Sequence, residues 1–180
     1  IEQQGRETFS MRALADHLGV KTASLYNHVD HMEGLLAEVC RYGLCLQKEA
    51  ELQGIEGKHG EEAVRILADT YRSFAKQHKE LYWLIMNMAA KDSRVLDDAA
   101  VLFTDPLKQM LQDFHLREEE NIHYRRLFRA IVHGFISHEE QCFFSHYPVA
   151  GEESFHFAIQ CFIDSLKQGE ERCSTDETGK

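Results

Sequence analysis

The sequence predicts an all-α protein: two short helices near the start, then a larger helical domain. Three observations predict it. The 180 residues contain only two prolines, Pro106 and Pro148. The chain is rich in Leu, Glu, Lys, Gln and Ala and poor in β-branched runs, which favours helix over strand. Apolar residues, 43% of the total, recur at three- and four-residue spacing along most of the length, the period of an amphipathic helix.

Each element follows from its residues. Ile-Glu-Gln-Gln-Gly at the start shows no methionine and no signal-peptide pattern, and is expected to end a helix that begins upstream. Ser10 is placed to cap a helix from Met11, whose face is Met11, Leu14, Ala15 and Leu18; Gly19 then stops it. A second short helix is expected over about Thr22 to His28, broken by Asp30 and His31. A longer one starts near Met32 and runs to about Leu52, where "GIEGKHG" (54–60) marks a linker. These elements make a first domain over 1–52 and a second over 53–170, with 171–180 expected to be a disordered polar tail. In the second domain, 61–78 is amphipathic, and "LYWLIMNMAA" (81–90) is apolar almost all round and expected to be buried on every side. Ser93 can cap a helix carrying Val95, Leu96, Ala99, Leu102 and Phe103, which Pro106 kinks or restarts; Leu107, Met110, Leu111 and Phe114 continue its face. "REEEN" opens a long helix with the stripe Tyr124, Leu127, Phe128, Ile131, Val132, Phe135, Ile136. A loop is expected over 145–151, then a last helix with Phe155, Ile159, Phe162, Ile163 and Leu166 inward.

Charge and motif content exclude several classes. The formal net charge of −10 argues against indiscriminate nucleic-acid binding, which needs many neutralised phosphates. Residues 1–45 hold four basic against six acidic side chains, so any nucleic-acid contact is confined to a small face. Five cysteines without a C-x-x-C pair fit a reduced, cytoplasmic protein. No run reaches the roughly 18–20 apolar residues of a membrane span. "HEEQC" (138–142) stops one residue type short of the zinc-protease H-E-x-x-H, and no further ligands lie nearby, so no metal and no cofactor is expected. No phosphate loop or nucleophile elbow occurs, and no catalytic residue is assigned.

The stretch "TFSMRALADHLGVKTASLYNHV" (8–29) carries the functional signal. A helix, a glycine turn and a second short helix form the helix-turn-helix arrangement, which places the second helix in the major groove of DNA. Hydroxyls and imidazoles there donate to phosphates, while Asn offers paired contacts to a base. Two short helices joined by Gly also occur in proteins that bind no DNA, so spacing alone leaves a rival: a helical enzyme or small-molecule carrier. The residue string extended to Val39 resembles the DNA-binding head of tetracycline-repressor-like (TetR family) regulators, through Thr8, Leu14-Ala15, Leu18-Gly19-Val20, Leu25-Tyr26, His28 and Leu35-Leu36. Met32 stands where that family commonly has lysine, Val29 where it has Phe, and Ala23 where Gly is frequent. The resemblance implies that Thr22, Ala23 and Asn27 face bases and that Thr8, Ser10, Lys21, Ser24, Tyr26 and His28 hold phosphates. Leu14, Leu18, Val20 and Leu25 would form the head's small core. Packing or capping remains an alternative role for His28, and partial burial for Tyr26.

"AIVHGFISHEEQCFF" (130–144) is similar to a C-terminal domain type of the same family named for a Trp-His-Gly signature; His133-Gly134 is present without the tryptophan. The resemblance implies a homodimer in which the last two long helices form a four-helix bundle with their twins, here through Ile159, Phe162 and Leu166. It also implies a small apolar effector among the middle helices. Tyr71, Phe74, Trp83, Met86, Phe103 and Phe128 are the large side chains such a ligand would want, with Asn87 and His133 to orient it; an ordinary core is the alternative for each. The expected function is a repressor that binds a palindromic double-stranded DNA operator and is released by the effector, the helix over 32–52 carrying the signal.

Overall fold

The computed structural model describes residues 1–2, 5, 8–88 and 105–178, the side chains of 88 and 172–178 aside. The expected Ser93-capped helix, with Phe103, lies outside the described residues. The described residues are mostly helical, joined by turns and short irregular stretches, with no strand among them. In order, the helices are α1 (Met11–Leu18), α2 (Thr22–Leu25), α3 (His31–Gly54), α4 (Gly60–Gln77), α5 (Lys79–Met88), α6 (Pro106–Met110), α7 (Glu118–Glu140) and α8 (Gly151–Thr178), with a 3-10 turn at Leu111–Asp113. They fall into two compact units, one drawn from Ile1–Glu49 and Phe74–Phe103, the other from Ala50–Ser73 and Thr104–Lys180. The first unit therefore takes in α5 as well as the two short helices, which a division at residue 52 does not provide for.

The first unit is built around α3. Gly43 lets α5 approach closely, since a Cβ there would come within 2.7 Å of Leu81 Cδ1 and 3.1 Å of Ile85 Cδ1. The Leu81 amide also donates to Glu2 Oε1 at 3.0 Å. Leu81, Tyr82, Leu84 and Ile85 are buried, but Trp83 is 38% exposed and Asn87 is exposed. This corrects the expectation of all-round burial over 81–87, where positions 83 and 87 share an exposed stripe; the side chain of 88 and residues 89 and 90, the rest of the expected segment, lie outside the described residues.

The second unit packs α7 against α8. Phe128 lies between them with its ring centroid 5.5 Å from that of Phe162, and Tyr124 Oη donates to the Ser165 carbonyl at 2.6 Å. Gly169 is a close-approach position: a Cβ there would meet Tyr124 Oη at 2.7 Å. α8 continues past it to Thr178, where a disordered tail was expected from 171. Every fourth residue of α7 from Tyr124 to Ile136 is buried, whereas Leu127, read as part of that stripe, is 44% exposed. Three polar contacts fasten α4 to α8: Glu61 with Lys167, Arg65 with Gln160, and Asp69 with His156 at 3.2 Å. The linker glycine Gly60 takes a positive φ of 52°, and its amide donates to Asp113 Oδ2 at 2.7 Å. Asp105 caps α6 ahead of Pro106, so the proline stands at the start of this helix.

Candidate nucleic-acid interface

The head begins with the cap of α1. Ser10 is extended (φ −150°, ψ 156°) and its hydroxyl accepts from the Ala13 amide at 3.1 Å. The acceptor lone pair is used, and the hydroxyl proton stays available to a phosphate. Thr8 is exposed, and its hydroxyl donates to the Gly5 carbonyl at 3.1 Å.

Gly19 closes α1 in the left-handed region (φ 67°, ψ 28°). The Gly19 amide donates to Asp16 O at 3.3 Å and the Val20 amide to Ala15 O at 3.0 Å. This pair of bonds is the Schellman closure, which fixes the direction in which the chain leaves a helix. Lys21 then runs extended (φ −76°, ψ 139°) into α2. After Leu25, turn bonds from His28 N to Leu25 O at 3.0 Å and from Val29 N to Leu25 O at 3.2 Å hold residues 26–28 in a compact bend.

The result is a short helix held mainly by Leu25 and Thr22, both half-buried, with Lys21, Ala23, Ser24, Tyr26, Asn27 and His28 exposed. Tyr26 is 49% exposed, and its ring meets His31 edge-on at 5.9 Å between centroids. His31 is the residue that sequence reasoning missed. It opens α3 with a positive φ of 58° and is exposed beside the tyrosine. The one signal for it was its place next to Asp30 at the break, which was read as punctuation only.

The core of the head differs from the expected Leu14, Leu18, Val20 and Leu25. Met11 and Ala15 are buried at 6% and 1% exposure, while Leu18 and Val20 are exposed at 56% and 44%; Leu14 and Leu25 are half-buried. The turn that stops α1 carries Leu18 and Val20 round to a side that no described element covers.

Of the expected effector residues Phe103 lies outside the described residues, and the others are divided between the two units. Tyr71 and Phe128 are buried in the second unit and Phe74 in the first. Met86 is half-buried, and His133 is exposed. The exposed Asn87 uses its amide on its own helix, Nδ2 donating to Trp83 O at 2.8 Å. None of them lines the cleft of about 510 Å³ in the first unit or that of about 520 Å³ in the second. Ile159, Phe162 and Leu166, expected at a dimer interface, are 2%, 1% and 0% exposed within one chain; their inward spacing on α8 seats them against α7. Among the described residues no three His, Cys, Asp or Glu side chains group as a metal site, and no helix is long and apolar enough to cross a membrane.

This arrangement can dock on a duplex: a turn of fixed geometry presents a short row of hydroxyl, amide, imidazole and ammonium groups with little bulk. The comparisons agree with it. The C-terminal domain of tetracyclin repressor-like proteins matches residues 64–162, more than half of the chain. The "Uncharacterized HTH-type transcriptional regulator YobS" of Bacillus subtilis (strain 168) is 25% identical over 167 residues, 92% of this chain and 85% of that protein. The "Uncharacterized HTH-type transcriptional regulator Rv0681" of Mycobacterium tuberculosis (strain ATCC 25618 / H37Rv) is 29% identical over 138 residues, 76% of this chain and 63% of its own. A solved structure of a protein with unknown function from Rhodococcus sp. RHA1 shares the fold, with a TM-score of 0.73 at 21% identity over 92% of this chain and 88% of that one. With the helix-turn-helix geometry at one end and the matched domain through the other, the chain belongs to the tetracycline-repressor-like (TetR) family of DNA-binding transcriptional regulators.

Proposed function

We propose that the protein acts as a homodimeric repressor that grips a two-fold symmetric operator and is released by a small, mostly apolar effector. The observation that carries this reading is the exposed row from Lys21 to His28 behind the Gly19 turn. A symmetric dimer offers two equivalent heads, and equivalent heads read equivalent half-sites. Support for the dimer comes from α7 and α8, which leave Leu127 and Phe157 exposed at 44% and 72%. On α7 the same outer side holds Ala130 and Gly134, where an added Cβ would meet nothing within 4 Å, so another helix could approach closely there. An effector acts by binding one arrangement of the heads better than the other, which lowers DNA affinity by the same coupling energy. The regulator would work in the cytoplasm, beside the chromosome.

Selection from random duplexes tests the reading. The intact chain should return inverted half-sites. Tyr26→Phe should weaken binding to all sequences alike, because its hydroxyl holds a phosphate. Asn27→Ala should instead relax preference at one position per half-site, by about 1–3 kcal/mol if the contact is paired. Recovery of random or asymmetric sequences would count against a dimeric reader and favour a carrier or enzyme that does not bind DNA.

A further inference from the structure

The second unit contains an open cleft of about 520 Å³ where α7 turns into α8. Phe144, Tyr147, Pro148 and Val149 contribute apolar wall, and Arg72 and Glu139 line the same space. The two charged side chains are only 8% and 18% exposed. Arg72 Nε donates to Glu139 Oε2 at 3.2 Å, Nη2 donates to Oε1, and the guanidinium carbon lies 4.5 Å over the Phe155 ring centroid. These contacts occupy one edge and one face of the guanidinium. Of the five N–H donors an arginine carries, those on Nη1 meet no acceptor among the described residues. Nor is Nη1 sealed away: among the described residues the enclosed side-chain nitrogen or oxygen without a partner is Arg125 Nε.

A second observation lies at the mouth. Cys142, which also lines the cleft, has a φ of 59°. Its amide donates to Glu139 O at 3.1 Å, and the Phe143 amide donates to His138 O at 2.9 Å. This is the same closure that ends α1, with cysteine in the place that favours glycine. A non-glycine residue held left-handed costs about 1 kcal/mol or more, and here the strained residue faces the cleft.

We propose that this cleft binds a neutral, flat, apolar molecule through a carbonyl or sulfonyl oxygen that accepts from Arg72 Nη1. The walls suit an aromatic body. Charge selects the neutral class: Arg72 is already matched by Glu139, and Glu152 adds a further negative charge to the lining, so an anion would meet net repulsion in a half-buried place. Binding here stands by itself; only its effect on DNA rests on the effector reading above.

The probe is dansylamide, a neutral naphthalene sulfonamide, titrated into the full chain by fluorescence. Saturable binding with one site per chain is expected. Val149→Glu, at a half-exposed wall position, should weaken it about tenfold or more without lowering the melting temperature. The double variant Arg72→Met with Glu139→Gln, which strands no buried charge, should lose a similar factor, the worth of one hydrogen bond to a charged donor. Dansylamide should also slow alkylation of Cys142 by N-ethylmaleimide while Cys161, exposed on α8, reacts as before. Absence of saturable binding, or equal affinity in Val149→Glu and wild type, overturns the proposal. So does protection of Cys142 by raising protein concentration alone, which would assign the cleft to a second copy. Dye that binds as expected but leaves operator affinity unchanged upholds the site and overturns its effector role.

Discussion

Single residues set the direction of the head. Gly19 holds a φ of 67° with open space where a Cβ would stand, so its replacement meets no clash and costs only backbone strain. Gly19→Ala should destabilise by about 1 kcal/mol, seen as a lower melting temperature, and should reduce operator affinity further because the turn sets the angle of α2. Unchanged stability would mean that the turn relaxes to another geometry. At this scale the sequence was readable wherever chemistry is local. Ser10 as cap and Gly19 as stop both stand in the structure, and Pro106 stands at a helix start, because each is decided within four residues. The left-handed His31 and Cys142 were not readable, since a positive φ outside glycine is uncommon and no local pattern marked either position.

Elements were legible as faces, not as partners. The spacing of Phe155, Ile159, Phe162, Ile163 and Leu166 marked an inward stripe, and all five are buried. Whether the stripe met another chain or α7 was not in the spacing, because an amphipathic helix shows the same period against either. The structure separates the two cases by mutation. Phe162→Glu places a charge in the packed layer between α7 and α8 and should unfold the protein. Phe157→Glu, at a 72% exposed position, should leave the melting temperature of each chain nearly intact yet yield monomer by sedimentation. A Phe157→Glu protein still dimeric at micromolar concentration would move the interface elsewhere. The α4–α8 contacts make a pH prediction. The hydrogen bond from Lys167 holds the Glu61 carboxyl below its ordinary 4.5, and the same bond holds Lys167 above its ordinary 10.5. Glu61's part is therefore present above pH 4.5 and lost as pH falls through its lowered value; Lys167's part is present below pH 10.5 and lost as pH rises through its raised value. Both partners are exposed, so screening keeps the contribution small. In Lys167→Gln the Glu61 carboxyl should titrate higher than in the wild type by NMR, with Arg65 still holding it down, and with little change in melting. A Glu61 titration that does not move would mean the pair is not formed in solution.

At the scale of the whole molecule, the all-α class and the regulator family were legible because composition, period and one motif agree. The grouping of elements was not. α5 shares a compact unit with the head through Gly43 and the Glu2–Leu81 bond, contacts between residues far apart in sequence that no local pattern announces. The space that the expected effector residues would enclose was not legible for the same reason: size and apolarity identify side chains that will be buried, not a cavity. If an effector drives release, compounds that raise the melting temperature should lower operator affinity in step; stabilising compounds without that loss would separate ligand binding from regulation. The partial exposure of Trp83 then has a practical use. It is the one tryptophan of the chain and belongs to the unit that carries the head, whereas the Arg72 cleft belongs to the other. Its emission, and its quenching by acrylamide, therefore give an intrinsic optical readout of the head's own body. Filling the Arg72 cleft while watching that signal would follow transmission from one unit to the other with neither a label nor a duplex in the cuvette.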